Sequence, residues 1–144
     1  MAREIKFRGK KHTGEWLYGD LVHLTDNKIF IYPLDCEGLF LQNEVDTNTI
    51  GQFIGLYDKN GREIYEGDIL RMFANINKIS DPMLSNTEPK YRLTTVVYDD
   101  AAFKVTSDGK PDAVINYYCG AMVKDMEVIG NIHDNPELLK TETL

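Results

Sequence analysis

A chain of 144 residues, 42% hydrophobic and 27% charged, is long enough to bury a core without staples and is sized for one domain or two small lobes. Its net charge of −7 is unevenly spread. Arg3, Lys6, Arg8, Lys10 and Lys11 against Glu4 make the first twelve residues +4, leaving −11 for the remainder, which argues against broad phosphate-backbone binding by the body of the protein. No apolar run is long enough for a signal peptide or a membrane span. Cys36 and Cys119 stand far apart, with neither CxxC spacing nor a neighbouring His, so a soluble cytoplasmic protein with two reduced thiols is expected.

In chain order, period-2 alternation dominates. Ile5 and Phe7 alternate with Glu4, Lys6 and Arg8, the pattern of a half-buried strand. Gly14 and Gly19 bracket residues 15–18, and the pattern continues to Leu24, giving two short strands or one bent strand. Asp26-Asn27 makes a turn into Lys28-Ile29-Phe30-Ile31-Tyr32, rich in β-branched and aromatic residues and ended by Pro33. Between Asp35 and Thr49 the pattern weakens into an acidic, turn-rich segment. That segment is the expected boundary between two lobes, residues 1–49 and 50–144.

Residues 55–70 carry the strongest local signals. Asn60-Gly61 marks a hairpin, because the turns that match strand twist need positive φ, which Asn tolerates and Gly adopts freely. Both a two-residue turn and a longer loop through Asp58 with Gly61 in a bulge fit, and either pairs residues 50–57 with 62–65. Glu66-Gly67-Asp68 then reverses the chain with its acidic side chains left in water, and a new strand begins near Asp68. Residues 74–89 interrupt every period and read as a loop of a length that is usually functional or mobile. Strands return at 91–98 and 102–106 across Asp99-Asp100, followed by the turn cluster Ser107-Asp108-Gly109-Lys110-Pro111. Residues 112–122 fit helix or strand: Val114, Ile115, Tyr117 and Tyr118 favour strand, and Gly120 interrupts a helix. A closing strand spans 127–132. Asn135, Pro136 and Glu137 then supply the start signals of a short helix.

Few residues point to chemistry. Asp58, Asn60 and Gly61 suggest a calcium loop, but the sixth and twelfth positions hold Glu63 and Ile69 where Gly and Glu are required. Asp58, Glu63, Glu66 and Asp68 are expected to be solvated at hairpin ends. His12, His23 and His133 have no local partners for a triad or a metal, although His133 adjoins Asp134. Ser80, Ser85 and Ser107 sit in polar turns without a nucleophile elbow, and residues 51–55 lack the spacing and the Lys of a phosphate loop. No catalytic residue, cofactor site or metal site is expected. Lys6, Arg8, Lys10 and Lys11, with Phe7 and Trp16 nearby, are the candidate nucleic-acid contact. Against it stands a plainer role, with the aromatics in the core and the lysines as edge charges that deter aggregation. Tyr57, Tyr65, Tyr98, Tyr117 and Tyr118 equally suit a peptide groove or ordinary strand positions.

Three ordered motifs carry a resemblance over nearly the whole chain. These are Arg3-Glu4-Ile5-Lys6-Phe7-Arg8; then Gly51-Gln52-Phe53-Ile54-Gly55-Leu56 with Asp58-Lys59-Asn60-Gly61 and Ile64-Tyr65-Glu66-Gly67-Asp68-Ile69; and finally Val128-Ile129-Gly130-Asn131-Ile132 with Asn135-Pro136-Glu137-Leu138-Leu139. In these the chain resembles the YopX family of phage and prophage proteins. The resemblance implies a mainly β protein whose C-terminal part is an SH3-like β-barrel; with the boundary and helix signals above, the expected fold is a small N-terminal β lobe followed by that barrel with a short C-terminal helix. It brings no catalytic or binding residues with it. The expectation is a non-catalytic phage or prophage accessory protein in the host cytoplasm, binding a phage or host protein; the alternative is nucleic-acid binding through the basic N-terminal strand.

Overall fold

The computed structural model describes residues 3–33, 41–74, 88–117 and 121–141. Cys36, Cys119, Tyr118, Ser80, Ser85 and most of the 74–89 segment lie outside the described residues. Among the described residues the fold is mainly β, with one short α-helix near the C-terminus, and the chain divides into two compact units, Met1–Gly55 and Leu56–Leu144.

The first unit is built on β1 (Phe7–Lys10), β2 (Trp16–His23), β3 (Ile29–Tyr32) and most of β4 (Asp46–Tyr57), antiparallel in the order β3-β2-β1-β4. β2 is one continuous strand. It passes through Gly19, where an added Cβ would lie 2.1 Å from the Tyr32 carbonyl oxygen, so only glycine lets β2 and β3 approach this closely. Asp26 and Asn27, both at positive φ, turn the chain between them. Phe30, Ile31, Tyr32, Val45 and Phe53 form the core.

Two expectations change here. Alternation in the first strand places Phe7 inward, yet Ile5 is 55% exposed while Arg8 is 5% exposed. The reason is position: β1 lies between β2 and β4, so both of its edges are paired, and the Trp16 ring of β2, 5.0 Å from the Arg8 guanidinium, covers the Arg8 side chain. β4 also begins four residues before the expected strand, inside the acidic segment. The Thr49 hydroxyl accepts the Lys10 N–H at 2.8 Å and donates to the Asp46 carbonyl at 2.6 Å, across a register shift between Arg8 and Lys10. Polar side chains hold this start, so hydrophobic periodicity does not reveal it.

The second unit carries β5 (Glu63–Tyr65), next to β4 in the sheet order, and a six-stranded sheet. That sheet contains β6 (Asp68–Phe73), β7 (Tyr91–Asp99), β8 (Ala102–Ser107), β9 (Lys110–Asn116), β10 (Ala121–Met122) and β11 (Glu127–Asn131), in the order β10-β9-β8-β7-β6-β11. All neighbours are antiparallel except the two-residue β9–β10 pair. Residues 110–116 are therefore strand, as their β-branched content favours. Ile64, Ile69, Leu70, Val96, Val105, Val123, Met126 and Val128 fill the core.

Among the described residues the sheet order runs open from β10 to β11, and no ladder closes it into a barrel. The outer edge of β11 is nevertheless occupied. Val128 donates its N–H to Asp58 Oδ2 at 2.9 Å, its carbonyl accepts from Arg62 Nη1 at 3.1 Å, and the Met126 carbonyl accepts from the Lys59 N–H at 2.9 Å. The side chains of Asp58 and Arg62 and the backbone of Lys59 thus stand where a neighbouring strand would be.

That turn takes the longer of the two expected forms. Gly61 N–H bonds to the Asp58 carbonyl at 3.0 Å, Asp58 N–H to the Arg62 carbonyl at 2.8 Å, and Gly61 has φ +80° while Asn60 stays at negative φ. Asp58 Oδ1 accepts both the Asn60 and Arg62 N–H groups at 2.8 Å. Asp58 is 5% exposed and Asp68 2%, so the expectation of solvated acids at these ends fails for both. Backbone amides replace water: Asp68 Oδ2 takes the Tyr65 N–H at 2.7 Å across a turn in which Gly67 has φ +91°.

The C-terminal helix, Glu137–Thr141, starts after Pro136. Asn135 begins it through its carbonyl, which accepts the Leu138 N–H at 3.1 Å, while its side-chain oxygen turns back to the Asn131 N–H at 3.2 Å.

Candidate interaction surfaces

The four basic candidates are dispersed in role. Lys6 pairs with Glu4 at 3.1 Å and lies 5.2 Å over the Phe53 ring. The Arg8 guanidinium sits 5.0 Å over the Trp16 ring and Lys10 Nζ 5.9 Å from the same ring. Lys11 pairs with Glu15 at 3.4 Å. Register places Arg8 opposite Tyr18 and Lys10 opposite Trp16, so Arg8 and Lys10 share the face that carries those two aromatics, while Lys6 precedes the strand. Lys11 lies beyond the strand.

The tyrosines named for a groove separate. Tyr65 is core, its hydroxyl on Glu63 Oε2 at 2.7 Å, whereas Tyr57, Tyr98 and Tyr117 are exposed. Tyr98 packs edge-on against Phe103 at 5.4 Å. A different tyrosine organises the second unit's surface. Pairing of β6 with β7 sets Phe73 opposite Tyr91 and Arg71 opposite Leu93, and pairing of β11 with β6 sets Glu127 opposite Arg71. The Phe73 and Tyr91 rings stack at 5.0 Å, Arg71 lies 4.8 Å over the Tyr91 ring, and Glu127 binds Arg71 at 2.7 Å and Lys59 at 3.7 Å. Tyr91 remains 49% exposed. Sequence reasoning missed this row, because Phe73 and Tyr91 become neighbours only through the β6–β7 register.

A cleft of about 570 Å³ opens where β7 and β8 part, with Arg92, Thr95, Thr106, Ser107, Asp108 and Leu139 among its lining. Regular pairing of the two strands stops at Val96 and Val105. Beyond it hydroxyls bridge the gap: Thr94 Oγ1 accepts the Thr106 N–H and donates to the Thr106 carbonyl, both at 2.7 Å, and Thr106 Oγ1 lies 2.9 Å from Thr95 Oγ1. Arg92 Nη1 donates to the same Thr106 carbonyl at 2.9 Å.

No group of three His, Cys, Asp or Glu side chains that could hold a metal occurs among the described residues. His12 and His23 are exposed; His133 belongs to a turn in which Asn131 Oδ1 accepts the His133 and Asp134 N–H groups at 2.9 Å. No helix among the described residues is long and apolar enough to cross a membrane.

Residues 6–140 match the family model described as YopX protein. Among solved structures, the crystal structure of protein EF1440 from Enterococcus faecalis is similar, at 26% sequence identity and a TM-score of 0.53, covering 96% of this chain and 99% of that one. The curated proteins gave no match.

Proposed function

The chain belongs to the YopX family, and from that premise we propose that it is a non-catalytic accessory protein, encoded by a phage or prophage, that binds a phage or host protein in the host cytoplasm. The observation that carries this reading is the Phe73–Tyr91–Arg71 row. Tyr and Arg dominate protein-binding hot spots because they offer large, stiff contact area with a polar end, and here two rings and a guanidinium are already ordered by their neighbours. Glu127 and Lys59 supply a charged rim. In this reading the second unit is an SH3-like barrel whose remaining gap is spanned by Asp58 and Arg62 instead of a strand ladder.

One observation favours the second reading, nucleic-acid binding through Lys6, Arg8, Lys10 and Lys11: two of the four, Arg8 and Lys10, share a face with Trp16 and Tyr18. Tagged protein expressed in its host discriminates the two. The first reading expects one protein co-purifying in stoichiometric amount with the native chain and with Tyr18→Ala, and lost with Tyr91→Ala and with Arg71→Ala. Absence of any such protein, together with salt-sensitive DNA or RNA retention that disappears when the four basic residues are neutralised, would replace it with the second.

A further inference from the structure

We propose that the cleft between β7 and β8 is a carboxylate-binding site, receiving an acidic side chain or the chain terminus of a peptide through Arg92; this deepens the protein-binding reading and rests on it. Arg92 is half-buried, and no carboxylate lies within ion-pair distance of it among the described residues. By contrast, Arg71, on the neighbouring strand, is neutralised by Glu127. The Thr106 carbonyl accepts from Arg92 Nη1 at 2.9 Å and fixes the guanidinium; among the described residues no other partner takes its Nε–Nη2 edge, two parallel donors at the spacing of a carboxylate's oxygens.

The surroundings select the ligand. Thr95 and Ser107 add hydroxyls to the lining, and Leu139 of the C-terminal helix adds an apolar wall, so the carboxylate is expected on an apolar stem. Asp108 shares the lining, and the chain carries −7 overall. A single negative charge tolerates that field far better than a phosphate dianion does, and this favours a carboxylate over phosphate.

The test is an NMR titration of the full chain with N-acetyl-leucine, observing backbone amides and the Arg Nε–H signals. Saturable shifts of Arg92 Nε–H and of the Thr95, Thr106 and Gly109 amides are expected, with Kd of the order of millimolar for so small a probe. N-acetyl-leucinamide should shift none of them. Arg92→Lys, which keeps the charge, should weaken binding about tenfold because the side-on pair is lost. Equal shifts with the amide would make the cleft merely apolar and overturn the proposal. So would tighter binding of inorganic phosphate, or no saturation by the acid. Peptides ending in an amide but containing Glu, against peptides ending in a free carboxylate, separate the two sources. None of these outcomes touches Tyr91, so failure here leaves the partner test standing, and failure there leaves the titration readable.

Discussion

Asp58 gathers backbone bonds from both sides of its turn and from β11. Its carboxylate accepts three N–H groups, from Asn60, Arg62 and Val128, while 95% of its surface is hidden. Asp58→Ala strands those amides without a replacement, and a loss of about 3–5 kcal/mol in urea unfolding is expected. The glycines divide in the same quantitative way. Gly61 has open space around its missing Cβ but φ +80°, so Gly61→Ala should cost only the left-handed penalty of about 1 kcal/mol. Gly19→Ala would drive a methyl group into the Tyr32 carbonyl, and about 3 kcal/mol or more is expected by the same measurement.

At the level of elements, the β7–β8 fork depends on hydroxyls where a ladder fails. Thr106→Val removes the acceptor of the Thr95 N–H and the partner of the Thr95 hydroxyl, and should cost about 1–3 kcal/mol, with the Thr95 amide exchanging faster with deuterium. Elements whose cause is local were legible in the sequence: the Asn60-Gly61 hairpin, the Gly67 turn, the strands through Phe30 and Val96, and the start of the C-terminal helix. What escaped has distant causes. Nothing near Asp58 distinguishes a solvated acid from one bound to an amide seventy residues away. Arg8 reads as a surface charge until Trp16 is laid across it from the next strand. The Arg71–Tyr91 row likewise depends on the β6–β7 register, with the 74–89 segment between its strands.

For the molecule as a whole, charge bears on the basic start. Lys6, Arg8, Lys10 and Lys11 each have an intramolecular partner, and the remainder of the chain is acidic. Arg8→Gln is accordingly expected to lower stability by about 1–2 kcal/mol through loss of the indole contact. Retention on a DNA column at about 0.15 M salt should be absent for the native chain and for the variant alike. The two oxygens of Asp58 are also expected to be satisfied at different stages of folding. Oδ1 closes contacts two and four residues away, whereas Oδ2 waits for Val128, a loop whose closure costs about 2–3 kcal/mol more in chain entropy. The turn can therefore form long before β11 reaches it. Asp58→Asn keeps an acceptor for the early bonds but meets the Val128 N–H with another donor, so stopped-flow measurement should show it unfolding faster while folding at nearly the native rate. Asp58→Ala should slow folding as well.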